Sequence, residues 1–497
     1  MKKYNLLRAL GICFLVLIAV SWIIPVGTYS SGTFTQGETS PLGIIDVVRY
    51  PLISIATFIQ YGLVFLVIGG FYGVLNKTGV YSKFVEKVAF KYNGKEKKFL
   101  VISILFFALF ASLTALSLPL FVLVPFFVAV ILLLGFDKIT ALASTVGAIL
   151  VGLIGSTYGF NVSGYINNFL ELDVNQDIAA KVVLFLVVVA LLVLYVLGHS
   201  TISTSKVNKV EKKDKKKEEK GKGKGKESKK EESVIAVSDK DIPYYSKSGD
   251  TEKSSWPMAV IVGITVLLLL VGMYNWYYGF EVTFFQDIYD SLMEAEVGGY
   301  PIFANILGSF TQPGYWNNYE LCVGLVFASL LIGWIYSVKM NDVVDGFIGG
   351  AKKMLPTAFL VMLASTLFTV MLNSSSGTFV TTINNQLFSM SEEVNIPILT
   401  VVSAVTGFFY NDFYYFLSTV TSFVTSSYDA IHYPIIGLIF QSMYGILMMF
   451  LPTSIILMAG LHYLNVSWKE WLQYIWKLLI QLFIISLVVV FILFLAL

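Results

Sequence analysis

Apolar runs long enough to cross a bilayer recur along almost the whole chain, at about 6–26, 55–75, 98–116, 118–134, 139–158 and 180–198, then again at about 257–275, 319–338, 354–372, 378–390, 397–427, 434–459 and 471–497. A helix needs roughly 20 such residues to span a hydrocarbon core of about 30 Å. A chain that repeats the pattern this often is expected to be an all-α polytopic integral membrane protein. The runs do not alternate apolar with polar residues, which argues against a β-barrel. Composition excludes a soluble enzyme: 56% of the 497 residues are hydrophobic and 13% charged, where soluble domains carry about a quarter charged residues.

The few charges are concentrated. Residues 201–253 alone hold 16 lysines and 11 acidic residues. This stretch, with its KGKGKGK run and no apolar periodicity, reads as a disordered Lys-rich cytoplasmic linker over 199–255 that tethers two membrane halves. The halves are expected as a first repeat over 1–198 and a second over 256–470, with a C-terminal transmembrane helix at 471–497. Positive residues set topology. Lys2, Lys3 and Arg8, the seven lysines between 77 and 98, the linker, Lys339 with Lys352 and Lys353, and Lys469 are therefore expected on the cytoplasmic side of the cell membrane, N-terminus included. Residues 28–48, 159–180 and 276–318 carry no Lys or Arg and are expected outside. The first run exceeds a signal-peptide core and reads as a retained span, and 41–54, with Asp46 and Arg49, suits an interfacial helix. Cys13 and Cys322 both lie in apolar segments and imply no disulfide framework. The basic excess lies in loops, so no nucleic-acid partner is expected.

The halves resemble each other. Ile68-Gly69-x-x-Tyr72-x-Val74 recurs as Ile332-Gly333-x-x-Tyr336-x-Val338, and Gly135 to Gly147 aligns with Asn395 to Gly407 at a shift of 260 residues. The order of segments is the stronger sign of a repeat: span, outer loop, span, lysines, then two closely spaced apolar runs with polar interruptions.

Backbone leaves the helix at membrane depth only where protein or a water-filled cavity satisfies its hydrogen bonds, so such breaks point at a site. In the first half, Ser112 to Pro119 divides 98–134 into two short arms, read as a re-entrant hairpin with its tip near Ser117; two ordinary spans with a tight turn are the alternative. The second half offers Asn373, Ser374, Ser375, Ser376 and Gly377 as the tip of a hairpin over 354–391, against a bland surface turn. Broken helices are expected to follow at 139–172, where Ser156, Thr157 and Asn161 sit among glycines, and at 397–427, where Asn411 and Asp412 interrupt the run. Asp412 is the one carboxylate so deeply placed. An intramembrane carboxylate costs at least a few kcal/mol and marks an ion or substrate path by default; the other reading places it in a loop between two shorter helices. No HExxH, paired-cysteine, phosphate-loop or GxSxG motif is present, the three histidines are scattered, and no enzyme activity or transition-metal site is expected.

The residues resemble the YfcC-type members of the anaerobic C4-dicarboxylate carrier family, in the ion-transporter superfamily. The resemblance rests on Trp22-Ile23-Ile24-Pro25-Val-Gly27-Thr-Tyr29, Pro41-Leu-Gly43-Ile-Ile-Asp46, Ile68-Gly69-Gly70-Phe-Tyr-Gly73, Leu118-Pro119, Val124-Pro125, Gly135-Phe-Asp137-x-Ile139-Thr140, Gly155-Ser156-Thr157 and Ser374-Ser375-Ser376-Gly377. It implies a secondary transporter with an elevator-type fold, two related repeats whose hairpins meet broken helices at a central site, and a homodimer. It places substrate or sodium contacts on Ser117, Ser156 and Thr157 and on Ser374, Ser375, Ser376 and Gly377. The function expected is an ion-coupled carrier or exchanger of a small polar metabolite, with a sodium ion or proton as coupling ion and no other cofactor. No Lys or Arg lies at membrane depth, so a dicarboxylate would rest on helix N-termini, hydroxyls and co-bound cations, whereas an amino acid would find Asp412 a useful counter-charge. A channel or a non-transporting membrane scaffold is the alternative.

Overall fold

The computed structural model describes residues 5–30, 32–200, 242–246, 252–374, 377–391 and 393–496. Most of the 199–255 linker lies outside them. Among the described residues, nine helices are long and apolar enough to cross a membrane.

Helix α1 (Asn5–Ile23) leads into a two-stranded hairpin, β1 (Gly27–Ser30) and β2 (Thr33–Gln36), with Gly27 opposite Gln36. The amphipathic segment expected at the interface is α2 (Asp46–Thr57), which exposes Val47, Val48 and Leu52. The crossing α3 (Ile59–Lys77) and the short α4 (Val80–Lys91) follow. α5 (Glu96–Thr114) reverses at Ala115 into α6 (Ser117–Phe121) and α7 (Val124–Leu133), and Phe99, Phe106 and Phe107 of the outgoing arm pack on Phe127 of the returning one. Next come α8 (Lys138–Leu142), a π turn at Ala143–Gly147 and α9 (Ala148–Ile154); the chain then unwinds and resumes through a second π turn and α10 (Tyr165–Leu170) before α11 (Ile178–His199) crosses back.

The second half opens with α12 (Trp256–Met273). A region of short elements follows: α13 (Trp276–Phe280), α14 (Phe284–Met293), β3 (Glu296–Val297) paired with β4 (Tyr300–Pro301), and α15 (Ile302–Leu307). α16 (Asn318–Ile335) starts on a capping box of Asn317 and Glu320. α17 (Met340–Ala364) and α18 (Thr366–Leu372) form one apolar crossing of 33 residues interrupted only at Ser365. Then come α19 (Phe379–Phe388), α20 (Ile396–Phe409), α21 (Phe413–Ser427), α22 (Tyr433–Met448), α23 (Ile455–Tyr463) and α24 (Trp468–Ala496).

The centre of the fold is the antiparallel pair α3 and α17. Gly62 meets Met362 near one end, and Gly73 meets Gly346 near the other. Each helix carries Gly-x-x-x-Gly, at Gly69 and Gly73 and at Gly346 and Gly350. A Cβ at Gly73 would lie 2.1 Å from the Gly346 carbonyl oxygen, and one at Gly350 would lie 2.1 Å from that of Gly69. Lipid tails are as apolar as leucine, so helices in a bilayer associate through such close backbone approach rather than through the hydrophobic effect.

Two expectations for the second half are corrected. Residues 354–372 end a 33-residue crossing, which makes them no re-entrant arm, and Lys352 and Lys353 lie within that helix rather than in a loop. The hairpin is instead made by 396–427, expected as the broken helix: α20 and α21 run antiparallel about Tyr410, Asn411 and Asp412. Asn395, before α20, and His432, just after α21, both abut Phe494 of α24, while Gly407 faces Phe416 across the turn. The broken helix is α22 with α23, unwound about Pro452 inside the run taken as continuous at 434–459. The physical reason is that a fold-back and a straight-through break have the same local signature, two apolar arms around a few polar residues. The shift of 260 residues likewise superposes unlike elements, the start of the α8–α9 crossing on the first arm of a hairpin.

Candidate functional site

Two hairpin tips and two helix breaks meet, and polar side chains take up the backbone groups that each interruption frees. The Ser112 carbonyl accepts from the N–H groups of Thr157 (3.0 Å) and Gly159 (3.2 Å), and its hydroxyl donates to the Gly155 carbonyl at 2.7 Å. The first hairpin is thereby stapled to the break after α9. The second hairpin is stapled in a parallel way. Asn411 Nδ2 donates to the Thr453 carbonyl (3.0 Å) and to Ser365 Oγ (3.1 Å), and its own carbonyl accepts from Tyr444 Oη at 2.7 Å. Fully buried Gln441 ties the middle of α22 to the first break: Nε2 donates to the carbonyls of Ile154 (3.1 Å) and Ser156 (2.9 Å), and Oε1 accepts from Ser163 Oγ at 3.1 Å. The helices carrying the breaks touch there, since a Cβ at Gly445 would lie 2.8 Å from the Ile154 nitrogen.

A cavity of about 290 Å³ opens at this junction. Ser117 and Leu116 enter it from one hairpin tip and Asn411 and Asp412 from the other; Asn161, Tyr165, Tyr444 and Ser454 come from the broken helices. Phe58, Tyr61, Met273, Asn318 and Phe368 form the facing wall, and no Lys or Arg lines it. These wall residues come from the ends of their helices remote from the lysines: Phe58 precedes α3, which ends at Lys77; Met273 ends α12, which follows the Lys-rich segment; Asn318 begins α16, which is followed by Lys339.

The electrostatics of the cavity come from backbone and one carboxylate. Asp412 is the N-cap of α21, its Oδ1 accepting from the N–H groups of Tyr414 (3.0 Å) and Tyr415 (3.3 Å). α6 and α23 begin at the same cavity with no side-chain cap. The first N–H groups of α23 are unsatisfied within the helix and carry the positive end of its dipole, whereas α6 is a single short turn of five residues that offers the Ser117 and Leu118 N–H groups and the Ser117 hydroxyl. The cavity thus sets helix N-terminal N–H groups beside a single carboxylate.

Of the residues singled out from sequence, Ser117, Asn161, Asn411 and Asp412 share the cavity. Ser156 and Thr157 are buried behind it, Ser156 Oγ pointing to the Ser112 carbonyl at 3.3 Å, and both hold the break together rather than face the opening. Asn373, Ser374 and Gly377 lie elsewhere. Ser374 Oγ donates to the Gly377 carbonyl, and the neighbouring Thr378 exchanges two 3.0 Å backbone hydrogen bonds with Gly27. Gly377 has φ +91°, and a Cβ there would lie 2.2 Å from the Gly27 carbonyl oxygen, so Gly377 and Thr378 pack tightly against the start of β1. Ser375 and Ser376 fall outside the described residues. Tyr61, Tyr444, Gln441 and Ser454 went unread; the Pro452-Thr453-Ser454 interruption was the available signal for the last.

The chain matches the family model described as C4-dicarboxylate anaerobic carrier over residues 7–495. No curated protein matches significantly. Among solved structures, the crystal structure of the YdaH transporter of Alcanivorax borkumensis is 13% identical with a TM-score of 0.38, covering 98% of this chain and 97% of that one, a likeness too loose to carry an argument. Matched over nearly its whole length, this multi-pass membrane protein belongs to the C4-dicarboxylate anaerobic carrier family.

Proposed function

We propose that the protein is an ion-coupled secondary carrier of C4-dicarboxylates in the cytoplasmic membrane. The observation that carries this reading is the cavity in which the uncapped N-terminus of α23 and the Ser117 turn meet Asp412, with no Lys or Arg among the described residues that line it. One carboxylate of the substrate rests on the first N–H groups of α6 and Ser117, the other on those of α23 and Ser454, with the Asn161 amide between them. The charge of Asp412 has to be neutralised for a dianion to enter, and a sodium ion or a proton on that carboxylate does so, which couples substrate to cation. A second reading follows from the same carboxylate: an amino acid would place its ammonium on Asp412 and its carboxylate on a helix N-terminus.

The segment order supports two inverted repeats. In this reading α1 and α3 correspond to α16 and α17, the hairpin α5–α7 to α20–α21, the broken helix α8–α10 to α22–α23, and α11 to α24, with α12 standing between. The lysine-bearing helix ends face the cytoplasm, and the cavity lies at the outer ends of α3, α12 and α16. That position fits an elevator cycle caught facing outward, in which hairpins and broken helices descend along a scaffold built on α3 and α17. A homodimer formed through the scaffold, whose α16 exposes Phe327 and Trp334, completes the proposal.

Purified protein in liposomes should take up labelled succinate, driven by an inward sodium or proton gradient. Uptake of labelled aspartate or alanine with none of succinate selects the amino-acid reading. No gradient-dependent uptake of any of these solutes overturns both.

A further inference from the structure

The lysine-rich segment between the halves was expected to be a solvated tether, yet Ile242, Tyr244 and Tyr245 are only 3%, 4% and 8% exposed. Tyr244 donates to the Gly350 carbonyl of α17 at 2.8 Å and lies under the Lys353 ammonium, 5.3 Å from the ring centroid. Its ring also sits 5.9 Å from Tyr72 of α3 and stacks at 6.4 Å on Tyr463 of α23. Tyr245 donates to Glu86 of α4 at 2.7 Å, and Ser246 Oγ to Asn76 of α3 at 3.1 Å. The segment therefore touches both groups of helices at their lysine-bearing side, α3 and α17 on one hand and α23 on the other.

We propose that residues 242–246 are a cytoplasmic brace, seated in a groove between α3, α4, α17 and α23, that holds the carrier outward-facing until it leaves. The proposal rests on the elevator reading above. Inward travel of the cavity carries α23 along α17, and the Tyr244 ring, wedged between Tyr463 and the Gly350 backbone, stands in that path. A Cβ at Gly69 would lie 2.9 Å from the Tyr244 hydroxyl, so the tyrosine is seated directly against the α3 backbone. Tyr244 and Tyr245 present their hydroxyls to a carbonyl and a carboxylate, which makes the groove specific for a Tyr-Tyr peptide rather than for any apolar segment.

The test uses the full chain in nanodiscs with Cys13 and Cys322 replaced and spin labels at the exposed positions Leu268→Cys on α12 and Ile480→Cys on α24. α12 packs on α16 and α24 packs on α11 and the broken helix α22, so in the elevator reading their distance reports displacement of one group against the other without any substrate. With Tyr244→Ala plus Tyr245→Ala, a second distance should appear, and succinate exchange in liposomes should rise several-fold. Tyr244→Phe, which removes only the hydroxyl and cannot unfold the seat, should give a smaller change in the same direction. A distance distribution identical to wild type in both variants overturns the brace, as does a displaced distribution with slower exchange. A second distance with no succinate exchange in any protein, wild type included, leaves the brace standing and removes the substrate assignment.

Discussion

The crossing of α3 and α17 allows a sharp test, because adjacent glycines on α17 have opposite surroundings. An added methyl at Gly350 would sit 2.1 Å from the Gly69 carbonyl oxygen and 2.8 Å from the Gly73 Cα, where ordinary contact starts at 3.4 Å. All of these neighbours are backbone, so no side chain can swing away and the helices have to part by about 1 Å. A gap of that size forfeits roughly a quarter to a half of each pairwise dispersion well along the seam, and overpacking of this kind costs about 1–3 kcal/mol or more. Helix propensity returns about 1 kcal/mol for Gly→Ala, which leaves Gly350→Ala destabilised by about 1 kcal/mol from the middle of that range and by about 2 kcal/mol from its upper end. A methyl at Gly349 would meet nothing within 4 Å, so Gly349→Ala should gain the propensity term and be unchanged or slightly more stable. Thermal unfolding in one detergent, followed by loss of the monodisperse peak, compares the two directly. Equal melting temperatures, or Gly349→Ala as the less stable protein, would refute the argument from backbone contact.

Asp412→Asn should fold normally, since Asn caps a helix about as well as Asp, but should lose the cation dependence of transport; unaltered dependence in a gradient-driven assay removes the carboxylate from the coupling role. Gln441→Leu strands the Ile154 carbonyl, while Ser163 Oγ still donates to the Ser156 carbonyl at 2.8 Å; at about 1–3 kcal/mol for a buried group left unpaired, a fall in melting temperature is expected and an unchanged one speaks against the staple. Asn161→Leu should leave melting unaffected while lowering succinate uptake at least about tenfold, the equivalent of 1.4 kcal/mol; wild-type uptake would place the substrate elsewhere.

Membrane helices were legible because the bilayer imposes a length and an apolar composition that few alternatives share. Asp412 and Asn411 were legible for the related reason that polar residues inside such a run are costly and need a purpose. The direction in which the chain leaves a break was not legible. Tyr410-Asn411-Asp412 reverses the chain and Pro452-Thr453-Ser454 lets it continue, yet each is three residues between apolar arms; what separates them is tertiary, the docking of Asn411 on Thr453 and of Asn395 and His432 on the end of α24. Ser374 and Gly377 lie away from the cavity; small hydroxyl residues and glycine serve tight backbone contacts as readily as ligands, and here Gly377 closes on the Gly27 backbone. The Gly-x-x-x-Gly pairs were open to inspection in the sequence, although only the structure shows that they face each other.

Helix α12 has a consequence for how such a chain can be assembled. Counting crossings, a unit that begins on the cytoplasmic side and returns there would leave its duplicate in the same sense, and the two hairpins would then enter from one face. In the inverted-repeat reading proposed above, a single interposed helix changes the count from even to odd and turns the second unit over. In the same reading the lysines before Trp256 hold the start of that odd helix on the cytoplasmic face, so a variant lacking α12 alone should mistranslocate everything after it, while the first half should insert as before.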